Sequence, residues 1–212
     1  RLNQRCTDVE LGQLAGLTTA NILSLNLADS QITDAGLERL AQLAQLAKLQ
    51  SLDLSGTAVT DTALASLSRF PALVELNLAD TATGDSGLSA IAALRDLEDL
   101  DLADTRVTSD GVATLAPLKT LEVLNLAGTD VDDQALAAIG KLSTLKSLYL
   151  DRTSITGATL KQLASLKQLE FLSLADTPLT DDAAEHLATL SAIKSLKQIN
   201  LYRTAVTTKG VS

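Results

Sequence analysis

A short phrase with the pattern L-x-x-L-x-L-x-x-T-x-V recurs along the whole chain, and this repetition constrains the fold more than any other feature. Successive copies are 27, 24, 24, 24, 24, 24 and 27 residues apart. A period in this range indicates stacked units of one strand and one helix, not a single irregular globule. The sixth position of the phrase is occupied by Leu27, Leu54, Leu78, Leu102, Leu126, Leu150, Leu174 and Leu201.

Each copy divides into a strand half and a helix half. Leucines at positions four and six alternate with mostly polar residues, which predicts a short strand with one buried face. The following phrase, as in TDAGLERL at 33–40, places apolar residues every three, which predicts a helix. A Thr before this phrase, replaced by Gly84 and Asp132 in two copies, is a candidate N-cap, and the Asp that often follows suits the helix dipole. Stacking these units predicts a parallel sheet lined by helices.

The repeat resembles the leucine-rich repeat family over essentially the whole chain. The T-D-x-G-L phrase resembles ribonuclease-inhibitor-like repeats, and the fuller LxxLxLxxTxVTDxGL pattern resembles bacterial, planctomycete-type arrays. The resemblance implies an α/β fold, a right-handed solenoid or horseshoe of about eight repeats with a concave parallel sheet and convex helices. It also favours a bacterial exported or periplasmic location. Position nine usually holds Asn or Cys in the family; here it holds Ser30 and otherwise Thr, whose hydroxyls we expect to bridge neighbouring backbones.

We expect one domain over residues 1–212, with a partial repeat at 1–21, eight repeat strands within 22–206 and a truncated helix at 207–212. Repeats cut at both ends predict that the chain is a fragment of a longer protein. Uncapped ends would also permit end-to-end self-association. The two 27-residue copies each add three residues, one at 44–46 and one within 190–196, or roughly one helical turn.

Charge and composition limit which kinds of partner the chain is expected to bind. The net charge is −9, and residues 1–106 carry 15 Asp or Glu against 7 Lys or Arg, whereas residues 107–212 carry 11 against 10. This balance argues against nucleic acid as a ligand. The sequence contains no segment resembling a membrane-inserted helix, so we expect no membrane insertion.

The residues offer little for catalysis, so we expect a non-enzyme without cofactor or metal. The chain has one histidine, His186, and one cysteine, Cys6, at opposite ends of the array, so no His/Cys pair can form. We interpret His186 as a solvated helix residue and Cys6 as a core thiol. Position eight alternates between Asp and glycines Gly56 and Gly128, which is typical of a turn.

Acidic residues on the outward strand positions leave two interpretations. Glu75, Asp99 and Asp101 form a candidate acidic surface that would steer a basic partner or simply be solvated. A cation shared between Asp53 and Asp101 is the weaker alternative.

Outward positions three, five and seven of every strand form the predicted concave face, and three of the four aromatic residues fall there. These are Tyr149, Phe171 and Tyr202, in the last three repeats, with Tyr149 and Phe171 expected roughly 8 Å apart. The other aromatic, Phe70, occupies a leucine column and is predicted to be core. One interpretation is that the exposed rings only fill the inner curve of the sheet. The other is a binding surface, since aromatic residues and Arg are enriched at binding hot spots.

We therefore predict a protein- or peptide-binding module that uses the concave face. The alternative is a structural domain that positions a neighbouring domain of a longer protein. The candidate partner-binding residues are Tyr149, Asp151, Arg152, Phe171, Tyr202 and Arg203, with the arginines expected to pair with partner carboxylates.

Overall fold

A computed structural model describes residues 6–16 and 21–207, and shows the predicted solenoid. Eight three-residue strands form one parallel sheet in chain order. They are β1 Ser24–Asn26, β2 Ser51–Asp53, β3 Glu75–Asn77, β4 Asp99–Asp101, β5 Val123–Asn125, β6 Ser147–Tyr149, β7 Phe171–Ser173 and β8 Gln198–Asn200. The predicted truncated helix lies almost wholly outside the described residues, as do 1–5 and 17–20 of the partial first repeat.

The strands pair with equivalent positions of the repeat aligned. Leu52 pairs with Leu25 on one side and with Leu76 on the other, and this register continues along the sheet as far as Ile199. Because side chains alternate along a strand, this register places all position-four leucines on the buried face and positions three and five on the open face. The repeat period thus fixes which residues share a surface.

The helical halves are short and combine α with 3₁₀ turns. The α-helices are α1 Asp34–Leu40, α2 Asp61–Leu64, α3 Asp85–Ile91, α4 Ser109–Val112, α5 Leu136–Ile139 and α6 Ala184–Thr189. The 3₁₀ helices are Glu10–Gly16, Ala44–Leu46, Ala65–Arg69, Ala113–Leu115, Asp133–Ala135, Leu160–Ser165, Asp181–Ala183 and Leu190–Ala192. The extra residues of the two long repeats form the turns Ala44–Leu46 and Leu190–Ala192, which confirms the prediction of one added turn.

The N-cap prediction is confirmed in most coils, but not at Thr156, because the helix of that coil begins only at Leu160. The Thr33, Thr60 and Thr108 hydroxyls each accept a hydrogen bond from the backbone N–H two residues later, and the Asp132 carboxylate does the same. At the N-terminus of α3 the cap residue is Gly84, which forms no side-chain hydrogen bond to the helix. Capping matters here because helices of four to seven residues are marginal without it.

The Asp that follows most caps does more than complement the helix dipole, because it links one coil to the next. The Asp34 carboxylate accepts from the backbone N–H and the hydroxyl of Thr60 in the following coil, both at 2.7 Å. Asp85 binds Thr108 in the same way, at 2.8 and 2.7 Å. These carboxylates link coils at the start of the helical side, next to isolated backbone bridges such as that between Thr33 and Ala58.

The position-nine hydroxyls behave differently from the sequence expectation, which was wrong. Each Thr hydroxyl donates to the carbonyl three residues earlier in its own coil, as from Thr57 to Leu54 and from Thr129 to Leu126, both at 2.6 Å. The tight turn brings that carbonyl within reach before any neighbouring backbone. The hydroxyls therefore close the turn within one coil and do not bridge coils.

The core is a column of leucines inside the solenoid. The strand leucines are at most 8% exposed, and Leu160, Leu163 and Leu166 of the helical side are fully buried. Phe70 is 1% exposed, which confirms its predicted place in the core, and Cys6 is buried at 6%. Burial, followed by the charges of Glu10 and Asp8, raises the pKa of the Cys6 thiol, which keeps it protonated and unreactive.

Candidate functional site

Tyr149 and Phe171 are in direct contact on the open face of the sheet. Their ring centroids are 5.0 Å apart and the ring planes are inclined by 44°. The residues are diagonal neighbours, because Tyr149 pairs with Ser173 while Phe171 pairs with Ser147. The rings lean together across the strand pair and so lie closer than the roughly 8 Å expected from backbone spacing alone. Such tilted pairs are a favoured aromatic geometry.

Tyr202 lies apart from this pair. It is 68% exposed, and its backbone N–H donates to the side-chain oxygen of Asn200 at 3.0 Å. Since Phe171 pairs with Gln198, Tyr202 is displaced by four residues, on the order of 13 Å along the strand direction. We call Tyr149, Phe171 and Tyr202 the aromatic patch, which has a contacting pair and one outlying ring.

Arg152 is held by a carboxylate of its own chain. Its Nη2 lies 2.9 Å from Oδ2 of Asp104, two coils earlier. The hydrogen bond and charge of Asp104, aided by Asp151 and Asp176, raise the pKa of the guanidinium further. The ion pair spans Gly128 of the intervening coil, where an added Cβ would lie 2.2 Å from Asp104 Oδ1 and 3.3 Å from Arg152 Nη2. Glycine at position eight of that coil therefore leaves the space for this contact.

Arg203 has an equivalent arrangement one coil apart, with Nε 3.0 Å from Oδ1 of Asp176. Position eight forms one rim of the solenoid, so an arginine there shares a column with the Asp residues that both arginines contact. The side chains remain more than half exposed, at 54% for Arg152 and 67% for Arg203.

Every described position-eight residue adopts a left-handed backbone conformation, which confirms the turn predicted from the Asp/Gly column. The φ angle is 54° at Asp104, 69° at Gly128, 55° at Arg152 and 57° at Arg203. This region is tolerated by Gly and Asp but costs roughly 1–2 kcal/mol for an ordinary L-residue. The two arginines therefore occupy a turn that does not favour them.

Asp151 has a structural contact that the sequence did not reveal. Its Oδ1 accepts hydrogen bonds from the Ser173 hydroxyl and, at 3.1 Å, from the Ala175 backbone N–H of the next coil. In other coils an Asn or Asp at position five makes the equivalent bond, as Asn77 does to the N–H of Ala79 at 2.9 Å. Asp151 thus compensates for Ser173, which is too short to close its own turn. The absence of Asn or Asp at position 173 was the sequence signal for this contact.

The three predicted acidic residues come together with Asp53 in one shallow cleft of about 250 Å³ on β2–β4. We call Asp53, Glu75, Asp99 and Asp101 the acidic cleft. Asp53 and Asp101 accept backbone hydrogen bonds in their own turns, from Ser55 at 3.0 Å and Ala103 at 2.9 Å. Glu75 is exposed and Asp99 is half-buried. Burial, followed by the charges of Asp101 and Glu75, raises the pKa of Asp99.

Replacing Asp99 with Asn is expected to stabilise the fold at neutral pH by a few tenths to about 1 kcal/mol, since the site is partly solvated. The folded-state pKa lies above the ordinary value of 3.8, so the folded state holds the proton more tightly and stability falls as pH rises through that interval. The titratable neighbours are Glu75 on β3 and Asp101 on β4, whereas the paired residue on β5 is Val123.

Urea unfolding of both proteins at pH 3 and pH 7 measures this effect. The gain from Asp99→Asn should be present at pH 7 and absent at pH 3, where the carboxyl is protonated in both states. The matched control Asp96→Asn, at an exposed site, should give no gain at either pH. An equal gain at both pH values would contradict the electrostatic explanation.

Within residues 6–16 and 21–207, no group of three or more His, Cys, Asp or Glu side chains is placed to hold a metal ion. His186 is half-buried in α6, and Cys6 is in the core at the other end of the array. In the described part of the chain, no helix is both long and apolar enough to span a membrane.

Known structures share this architecture. Internalin C2 from Listeria monocytogenes strain 4b F2365 superposes with a TM-score of 0.71 at 26% identity, covering 92% of this chain and 84% of that chain. A second internalin of that strain, inlF, gives a TM-score of 0.56 at 20% identity, covering 92% of this chain and 65% of that one, which shows the fold alone. Both are internalins, so the ribonuclease-inhibitor-like, planctomycete-type subtype stays a prediction.

Sequence comparison assigns the family. No curated protein matches the chain. A family model described as a leucine-rich repeat region matches residues 50–209, and a second, described as a leucine rich repeat, matches residues 20–41. Because the first match alone covers well over half of the 212 residues, the chain belongs to the leucine-rich repeat family.

Proposed function

We propose that this chain is a non-enzymatic binding module that holds a protein or peptide on the concave face of the sheet. Repeat solenoids of this kind are typically protein-binding, because their stacked strands present a long continuous surface. The observation that carries the proposal is the Tyr149–Phe171 pair, two large rings in contact on an open sheet.

The distribution of aromatic residues supports this function over a packing role. The core is filled almost entirely by Leu, Ile, Val and Ala, with Phe70 as its aromatic residue. In the columns of Tyr149 and Tyr202, the other coils carry small or polar residues such as Asn125 and Ala127. Rings are therefore not needed to fill the inner curve of this sheet. Tyr149 and Phe171 are half-buried, and the ring surface that stays exposed contributes favourable free energy when a partner covers it.

The arginines would act as an organised rim beside the aromatic patch. The ion pairs with Asp104 and Asp176 fix the direction of Arg152 and Arg203, yet over half of each side chain stays accessible. A guanidinium has five N–H donors, so a partner carboxylate can bind without breaking the internal pair. Asp151 would contribute indirectly, by holding the turn after Ser173 through its bond to Ala175.

Selection from a phage-displayed library of random peptides on the purified chain tests the proposal. Enriched peptides are synthesised with a fluorescent label and their affinity is measured by anisotropy. A variant with Tyr149→Ser and Phe171→Ser should bind them at least about tenfold more weakly, since it loses both anchor rings. The control carries Lys161→Ala and Gln162→Ala, at two exposed positions on the helical side, and should bind normally.

Intrinsic fluorescence provides a second readout of where the peptide binds. The chain has two tyrosines and no tryptophan, and both tyrosines belong to the aromatic patch. An unlabelled enriched peptide that lacks Tyr and Trp should therefore change the tyrosine emission on binding. Equal affinity for the patch variant would overturn the proposal. A selection that yields no binding peptide would overturn it too, in favour of the positioning role.

A further inference from the structure

The concave face has two chemically different parts. Across β1–β8, positions three, five and seven hold five acidic residues, and none of these positions holds Lys or Arg. Four of the five acids form the acidic cleft on β2–β4, and the fifth, Asp151, is bound to the adjacent turn. From β5 onward the face carries the large apolar side chains Val123, Tyr149 and Phe171 among polar neighbours.

Among the described residues, the acids of the cleft form no ion pair with a Lys or Arg. In the described part of the protein, the ion pairs use Asp104, Glu122, Glu170 and Asp176, all of which lie at the edges of the sheet. No described Lys or Arg forms an ion pair with Glu75 or Asp99. The cleft thus has negative charge without an ion-pair partner among the described residues, next to the half-buried apolar side chains of Tyr149 and Phe171. A cationic group from a partner would supply the missing complement.

The separation between the two parts is set by the sheet. Asp101 pairs with Asn125, which pairs with Tyr149, so two strand spacings of about 5 Å separate the cleft from the aromatic pair. A path of about 10 Å across the strands corresponds to about three residues of an extended chain. One short segment can therefore reach both parts at once.

We propose that the partner is an extended peptide segment in which a Lys or Arg enters the acidic cleft while an aromatic or aliphatic residue two to four positions away packs on Tyr149 and Phe171. This inference rests on the proposed function and specifies the chemistry of its partner. The basic side chain would lie among Glu75, Asp99 and Asp101. The apolar residue would cover the two rings. Charge and apolar contact together would then determine which peptide sequences bind.

The instability expected from Asp99 is consistent with this role. A half-buried carboxylate between Glu75 and Asp101 costs folding free energy, whereas Asn, which is native at other outward positions of these strands, would not. Binding sites commonly keep residues that lower stability but favour the complex. A bound cationic residue would remove the repulsion and make binding strengthen as Asp99 ionises.

The same selected peptides test the inference with a second variant. Glu75→Gln, Asp99→Asn and Asp101→Asn together remove the charge but keep the side-chain shape. The amide oxygen that replaces the Asp101 carboxylate can still accept the bond from the Ala103 N–H. The control with Glu38→Gln, Asp110→Asn and Asp130→Asn makes the same change in net charge at exposed positions off the concave face.

Selected peptides should carry Lys or Arg two to four residues from an aromatic or aliphatic residue. They should bind the cleft variant about tenfold more weakly than the wild type, and salt should weaken wild-type binding. The control should match the wild type. Replacing the peptide's basic residue with Gln should have no further effect on the cleft variant.

The outcomes separate the two proposals. Loss of binding in the aromatic variant with full binding in the cleft variant would overturn this inference and leave the proposed function intact. Selection of neutral or acidic peptides would do the same. A divalent cation in the cleft is the competing occupant, and binding that EDTA abolishes and CaCl₂ restores would overturn the cationic-residue inference.

Discussion

Replacing Phe70 with alanine is expected to lower the free energy of unfolding by about 3–5 kcal/mol, the largest stability effect that we predict. Phe70 is the largest fully buried side chain, at 1% exposure, and belongs to a column continued by Leu46 and Leu94 in the adjacent coils. Removing the ring leaves a cavity between coils whose backbones are fixed by the sheet. The surroundings can therefore collapse only partly onto the empty space.

The substitution Phe70→Leu is the matched control, because leucine is the common residue of this column. Phe70→Leu should lower the free energy of unfolding by less than about 1.5 kcal/mol, since leucine changes the side-chain shape and volume less than alanine does. Urea unfolding followed by far-UV circular dichroism measures both variants. Similar losses for alanine and leucine would contradict the cavity explanation and would indicate that the site requires an aromatic ring specifically.

The fold was largely predictable because the repeat supplies its own alignment. Once Leu54 and Leu78 are recognised as equivalent positions, the register of β2 with β3 follows without further information. The buried position of Phe70, the caps formed by Thr33 and Thr60 and the left-handed turn at position eight follow from local chemistry in the same way.

Contacts between side chains of different coils were much less predictable. The Arg152–Asp104 pair joins residues 48 positions apart, and it forms because Gly128 leaves the intervening position empty. The alignment places all three residues in one column but does not say whether an arginine there turns toward its own chain or toward solvent. That choice depends on which neighbouring carboxylates are free, which only the three-dimensional arrangement determines.

Asp151 illustrates the same limit at the candidate site. From the sequence it was an outward residue of the concave face and hence a candidate for partner contact. The structure shows that its carboxylate binds Ser173 and the N–H of Ala175. The next coil has Ser173 where most other coils have Asn or Asp, so the N–H of Ala175 needs an acceptor from a neighbouring coil. An interpretation that considers each coil separately does not reveal this contact.

The carboxylates that link coils along the helical side lead to the second large prediction, at Asp133. This side chain accepts four hydrogen bonds from the next coil: Oδ2 from the N–H and hydroxyl of Thr156 at 2.9 and 2.6 Å, and Oδ1 from the N–H groups of Gly157 and Thr159 at 3.1 and 3.4 Å. The equivalent Asp34 accepts two from Thr60. The coil bound by Asp133 has only a 3₁₀ helix, Leu160–Ser165, so it depends more on this external acceptor.

Asp133→Ala is therefore expected to lower the free energy of unfolding by about 2–4 kcal/mol, because hydrogen bonds to a charged group contribute roughly 1.5–3 kcal/mol each and neighbouring bonds are not additive. Asp133→Asn should cost less, since the amide keeps one accepting oxygen. The charge-matched control Asp130→Ala, at an exposed residue in the same coil, should change stability by less than about 0.5 kcal/mol in the same urea titration. If Asp130→Ala and Asp133→Ala cost the same, net charge and not the link between coils would explain the loss. A loss confined to Asp133 would show that single carboxylates hold adjacent repeats together where the helices are too short to do so by packing alone.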